Sequence, residues 1–512
     1  VKPRLLLAGF LVTSLFASGL RAQEDPSAAP GRPNWQITPT AAIEVTYTDN
    51  VSPGIGVKDS DFITRLAPGI KVEGKSARAS GSLVYNWRQS LYADNSRLDN
   101  HQHDLRANGK LELVEDWMFL DASGNIAQRS VSAFGTQGIG NELANANRSE
   151  TSTYAMSPYV KGLLGGKVNY ELRYNHAQSS AKTGTLAQYG DTVTQAWTGR
   201  LSGATPLTFV GWSFSAEQRN VEIGSLREMR SSNWMGTLDY RIDPQVRLFL
   251  NFGRESDNYN LAELKQRTTT GYGVDWAPTE RTLLSLKQDR RSYGDSYSAT
   301  FTHRTALSAW RLSDSRSVSL PAQQLTQAPT STAAELLNLQ LTSTYPDPLE
   351  RATMVAQLLA QAGIPADALV YGNILSAQAF VQRRQEASVS LTGVNNTVTF
   401  TLQRSSSQRL GTGVGITDDF ALSSNIRQTG LNGNWAHKLS PHSSLTLSGL
   451  TSRSRGDAAT QDTRLRSLSL LFTTKLGVHT TATAGLRRTS FDTTGGTGYD
   501  EQALTGSLFV TF

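Results

Sequence analysis

The feature that most constrains this chain is a sentence written several times over: two arms of alternating character joined by a tight turn. In "WMGTLDYRIDPQVRLFLNF", Trp234, Gly236, Leu238, Tyr240 and Ile242 form one face, and Thr237, Asp239 and Arg241 the other. After the turn at Asp243, Pro244 and Gln245, the apolar face resumes with Val246, Leu248, Leu250 and Phe252, set against Arg247 and Asn251. A period of two is the period of a strand, so this is a hairpin with one apolar side. The plan recurs in "GYGVDWAPTERTLLSLKQD", "LNGNWAHKLSPHSSLTLSGL" and "QAWTGRLSGATPLTFVGW".

The hairpins are separated by longer polar stretches, among them 93–104, 132–150 and 410–424. A soluble sandwich has no reason to make every second connection tight. A transmembrane barrel does, because tight periplasmic turns alternate with long outer loops while the apolar faces meet lipid. The bilayer also forbids open sheet edges, which closure removes. The expected fold is therefore all-β, a transmembrane antiparallel up-and-down β-barrel.

Strand number is a further constraint, since a barrel with both ends in the periplasm needs an even count. Reading forward from Trp35 gives about fourteen strands by residue 306, and reading back from Phe512 gives about seven to residue 386. The stretch "AWRLSDSRSVSL", 309–320, restores even parity. The expected total is about 22, within a range of roughly 16 to 24.

The flanks divide the chain. Residues 1–22 carry Lys2 and Arg4, then an apolar run over 5–20, and read as a secretory signal cleaved after Ala22; 23–34 read as a flexible segment. Residues 35–320 and 385–512 form the two parts of the barrel. Between them, 321–384 read as a helical insertion, in which Asp347 caps a helix, Pro348 suits its first turn and Glu350 completes the box. Val355, Leu358 and Leu359 make its apolar stripe and Gly363 stops it, so a plug or gate and an ordinary loop domain are both open readings.

Beyond the leader, no run of about 18 apolar residues suits a membrane helix, and mean hydropathy is −0.35. With no cysteine, the fold has neither disulfides nor thiolate metal sites. The 49 basic and 43 acidic groups give a net charge of +6, too balanced to argue for nucleic acid.

Catalytic signatures are missing: there is no G-x-S-x-G elbow, H-E-x-x-H helix or calcium loop. "KGLLGGK", 161–167, lacks the first glycine of a phosphate loop and reads as a turn. His101 and His103, placed in an outer-loop stretch, form a weak candidate for a metal pair. The expected protein is not an enzyme and has no cofactor. The inward faces offer Arg200, Asp239, Arg241, Arg247, Asp275, Lys287 and Asp289, which either select permeants or pair with one another in a wet lumen. Inward tyrosines and tryptophans would suit sugar stacking.

The chain's last stretch, "LTGSLFVTF", again alternates, with Leu504, Leu508, Val510 and Phe512 on one face. A strand ending on phenylalanine resembles the signal read by the bacterial barrel assembly machinery. "EVTYTDNV" at 44–51, "DFITRLAPGI" at 61–70, the insertion "YPDPLERATMVAQLLAQAGIP" and the closing Phe512 together resemble the PEP-CTERM-system-associated outer-membrane barrel proteins. That resemblance implies a Gram-negative outer membrane, with its lipid and lipopolysaccharide, and an association with exopolysaccharide export and its periplasmic components. It carries over no catalytic residues. The leading expectation is a passive or gated polysaccharide conduit, with a general diffusion porin and a surface scaffold or adhesin as alternatives.

Overall fold

The computed structural model describes residues 34–321 and 376–512, apart from loop stretches at 55–57, 140–142, 144, 184–189, 208, 225, 227, 260–263 and 412–417. Residues 1–33, which include the expected leader, and the segment 347–363, with Asp347, Pro348, Glu350, Val355, Leu358, Leu359 and Gly363, lie outside the described residues.

The strands of the first part are β1 (Asn34–Thr48), β2 (Asp61–Lys75), β3 (Ala79–Tyr92), β4 (Asn100–Val114), β5 (Met118–Ser130), β6 (Arg148–Leu164), β7 (Val168–Ala181) and β8 (Thr192–Ala204). Next come β9 (Val210–Ile223), β10 (Met229–Asp243), β11 (Val246–Asp257), β12 (Lys265–Thr279), β13 (Thr282–Arg291), β14 (Gly294–Arg304) and β15 (Ser308–Ser319). The closing part holds β16 (Phe380–Thr392), β17 (Asn396–Arg409), β18 (Asn425–Lys438), β19 (Ser443–Arg455), β20 (Asp462–Lys475), β21 (Thr480–Thr493) and β22 (Tyr499–Thr511).

Each strand pairs antiparallel with its chain neighbours in one 22-stranded sheet, and β22 returns to β1, with Thr40 opposite Thr511 and Thr48 opposite Ala503. No sheet edge is left open. The protein is a closed outer-membrane β-barrel.

The chain enters β1 and leaves β22 at the end where most of the tight turns lie, such as 244–245 and 280–281, so that end is periplasmic, whereas the two-residue turn 292–293 between β13 and β14 lies at the outer end. The stretch 161–167 is one of these turns, and Gly165 and Gly166 take φ of +58° and +71° there, values that glycine adopts without strain. Leu238, Leu250 and Phe252 are 52%, 61% and 60% exposed, as befits a face whose solvent is hydrocarbon. Aromatic side chains mark the periplasmic interface: Trp117 donates its indole N–H to the Tyr170 hydroxyl at 2.9 Å, and Phe209 meets Tyr240 edge-on at 5.6 Å.

Two boundaries differ from the sequence reading. The returning strand β16 begins at Phe380, before the expected 385, and buries Phe380 and Val381 at the outer end. His101 and His103 lie within β4, where the Tyr85 hydroxyl and His103 Nδ1 are 2.8 Å apart. The high polarity of "NHQHD" obscured its alternation.

Candidate functional site

Because successive residues alternate between lipid and lumen, the register fixes the lumen wall. Of the seven charges expected there, six gather on β10 to β13. Arg241 and Asp275 both stand opposite Arg247 in the strand register, on its two sides. Asp239 lies 3.7 Å from Arg247, Lys287 lies 3.1 Å from Asp289, and Ser285 donates to Asp275 at 2.7 Å. Asn251 donates to Asp289 at 2.8 Å, which helps hold a carboxylate only 4% exposed. Arg200 stands apart on β8, between Glu171 and Ser215 in the register.

Glycines let these side chains lie flat along the wall. A Cβ added at Gly211 would sit 2.7 Å from Asp239 Oδ1, and one at Gly271 would collide with Asp289 and the Gln288 carbonyl. The wall is thus lined by pairs that lean across bare backbone. A 22-stranded barrel is too wide for its own side chains to fill, so the space between the walls is not closed by these pairs.

Inward aromatics are present but covered. Phe119 stacks on Tyr159 at 5.1 Å, the Arg173 guanidinium lies 3.8 Å from the centre of the Tyr159 ring, and Lys161 lies 4.6 Å from that of Phe119. Cations already occupy the faces that a sugar would stack on.

The opposite wall, β17 to β22, has another chemistry. Thr401, Gln403, Ser405, Asn434, Thr446, Ser467 and Thr489 face inward there, and the Thr483 and Ser507 hydroxyls are 2.7 Å apart. Among the described residues of this wall, the ion pair is Arg487 with Glu501, at 2.8 Å. The lumen wall thus holds a charged sector on β10 to β13 and a hydroxyl and amide sector on β17 to β22.

The outer mouth is crossed by the loop 131–147 between β5 and β6. Ser132 donates its hydroxyl to Asp419 at 2.6 Å and the Ala133 N–H donates to the same carboxylate at 2.7 Å. Thr463 donates to the Ala133 carbonyl at 3.3 Å, and Tyr499 donates to the Gln137 carbonyl at 2.5 Å. Ala133 also joins Phe380, Phe420 and Ile426 in an apolar cluster. At its far end Leu143 packs with Val51, Ile63 and Tyr92. A loop rooted on β5 is therefore pinned to residues that follow β17, open β20 and open β22.

The pin is built around a single-turn helix, 419–421. Asp418 accepts the Phe420 N–H at 3.0 Å and takes hydrogen bonds from Ser376 and Gln378. Burial pushes the Asp419 carboxyl up to about 6, against the hydrogen bonds from Ser132 and Ala133, and raises Asp418 as well. Sequence reading treated 410–424 as a polar outer loop and missed this pin. Its signal was "DDF", two carboxylates before a buried aromatic residue.

At the closing strand, Leu504 and Leu508 point to lipid, 55% and 43% exposed, and Phe512 is 72% exposed while its N–H donates to the Pro39 carbonyl.

No family model and no curated protein matches the chain. Among solved structures, it is similar to the FrpB iron transporter from Neisseria meningitidis, at 9% identity and a TM-score of 0.49 over 93% of this chain and 81% of that one. A ferric enterobactin receptor from Pseudomonas aeruginosa gives 11% identity and 0.47 over the same shares. OccAB3 from Acinetobacter baumannii gives 8% and 0.36, over 93% and 99%.

Proposed function

We propose that this barrel is a passive conduit for an exopolysaccharide leaving the cell, closed at its outer mouth by the loop 131–147. The observation that supports this most is the neutral wall of β17 to β22. Hydroxyl and amide groups exchange hydrogen bonds with water and with sugar hydroxyls at little cost, so a polymer meets many weak contacts and no deep trap. The paired charges opposite keep the lumen wet without presenting a strong net field. Periplasmic export components would deliver the polymer, and the face ending in Leu504, Leu508, Val510 and Phe512 would be read by the barrel assembly machinery.

The test is planar-bilayer conductance of the full barrel with neutral dextrans and the producing cell's own exopolysaccharide as blockers. The expected result is brief, concentration-dependent interruptions by neutral chains once the mouth is opened by Ser132→Ala with Tyr499→Phe. If ions pass and no polymer alters the current, the barrel is a diffusion porin for small solutes and the export reading fails.

A further inference from the structure

The outer face of the barrel holds a feature that the conduit does not use. On β15 to β20 the residues that share parity with the lipid-facing leucines become arginines near the outer end. In β20 the sequence runs outward from Phe472, Leu470 and Leu468 to Arg466 and Arg464. In β17 Arg404 follows Phe400 and Leu402, and in β18 Arg427 lies beyond Leu431.

Strand register places these arginines against one another. Arg316 faces Arg383, Arg427 faces Arg455, and Arg453 faces Arg464. Like charges directly opposite on neighbouring strands destabilise a sheet, so three such pairs call for counter-anions. Two carboxylates from within reach one member of each pair: Asp314 takes Arg383 at 2.6 Å, and Asp462 takes Arg453 at 2.6 Å and Arg455 at 3.3 Å. Arg404, Arg427 and Arg464 are exposed and lie beyond salt-bridge distance of every described carboxylate, with Asp457 acting on Arg427 only at longer range. They border two adjoining depressions of about 430 and 520 Å³, which share Arg404 and Arg427.

We infer that this arginine field is a binding site for the phosphorylated headgroup of an outer-leaflet glycolipid. Guanidinium groups grip phosphate oxygens in a bidentate manner. Their height, directly beyond an apolar band, is the height of a headgroup whose acyl chains lie along Leu402, Leu431 and Leu468. A free anion would satisfy the charge but would leave that continuity with the apolar face unused.

The test is binding of bisphosphorylated lipid A, phosphate-free lipid A and inorganic phosphate to the full barrel in detergent. It compares wild type with Arg404→Ala/Arg427→Ala/Arg464→Ala and with a charge-matched control at Arg97, Arg281 and Lys438. Three lost headgroup contacts should weaken binding of bisphosphorylated lipid A on the order of a hundredfold, with the control unchanged. Heat-modifiability on gels verifies closure of the triple variant, and the single variant Arg404→Gln serves if it fails to fold. Lipid A should also raise the melting temperature of wild type more than that of the variant. Undiminished binding in the variant, equal loss in the control, or retention of phosphate-free lipid overturns the inference. So does inorganic phosphate binding as tightly as the lipid, which would mark a site for free anions.

Discussion

Acidification should tighten the loop across the outer mouth, and Asp419 sets the window. Its carboxyl stands near 6 against an ordinary 3.8 because it is buried between the 419–421 turn and the loop 131–147. A carboxyl raised in the docked state binds its proton more tightly there, so docking is penalised while the group is charged. The penalty fades as pH falls through about 6 and is gone below the ordinary value. Raising the carboxyl from 3.8 to about 6 corresponds to ~3 kcal/mol over the whole titration, and to roughly tenfold in the ratio of docked to undocked loop between pH 7 and pH 5. Asp418 is raised by burial as well, but its partners are Ser376, Gln378 and Phe420 and not the loop 131–147, so the response of the loop is assigned to Asp419. Arg409 donates to the Phe420 carbonyl at 2.9 Å.

The absence of native cysteine makes the assay direct. Spin labels at Ile139→Cys and Leu422→Cys report the distance between the loop and its dock, and channel recordings report the mouth. The expected result is a narrower distance distribution and longer closed periods between pH 7 and pH 5. With Asp419→Asn, the acid-like behaviour should appear at every pH, because the amide, like the protonated carboxyl, keeps one acceptor oxygen for the Ala133 N–H and carries no charge. A distance distribution that does not change with pH, or an Asn variant that still responds between pH 7 and pH 5, refutes the reasoning.

Three further perturbations separate the two faces and the closing strand. Leu250→Arg, on the lipid face near mid-barrel, should cost about 2–4 kcal/mol in folding titrations into lipid, whereas Thr237→Arg on the lumen face should cost far less. Gly271→Ala drives a methyl into Asp289 and the Gln288 carbonyl and should cost about 1–3 kcal/mol, while Gly236→Ala, whose nearest neighbour would be 3.7 Å away, should be close to neutral in the same titration. Phe512→Ala should lower the amount of assembled barrel in cells yet shift stability of the purified barrel by less than about 0.5 kcal/mol, because the ring is mostly exposed.

Alternation made the barrel legible, since one period of two carries both strand identity and facing. The even count followed from the membrane rule, and "AWRLSDSRSVSL" became a strand because parity required it. The lumen charges were readable for the same reason: Asp239 and Arg247 sit opposite named apolar neighbours in the sequence. What could not be read was anything that depends on closure. Ser132 and Asp419 are hundreds of residues apart, and their meeting is set by where β5 and β17 fall around a ring. The start of β16 was misplaced because "FVQRRQE" has helical composition, and pairing with β15 overrides that propensity.

The arginine field was missed for a different reason. Charges were placed by parity only on the inward faces between Arg200 and Asp289, and outward positions were treated as meeting hydrocarbon alone, which holds only within the hydrocarbon layer. Strand β20 shows the limit: its outward residues run Phe472, Leu470, Leu468, Arg466, Arg464, Asp462, while its inward ones run Thr473, Leu471, Ser469, Ser467, Leu465, Thr463. The outward series changes from apolar to charged with height, and the inward series does not. Parity says which face a residue occupies; the position along the strand says which solvent that face meets. A barrel sequence has to be read on both coordinates. On both, the sector from β17 to β20 combines a neutral lumen wall with a cationic headgroup band, two surfaces that one-residue alternation lets a single strand carry independently.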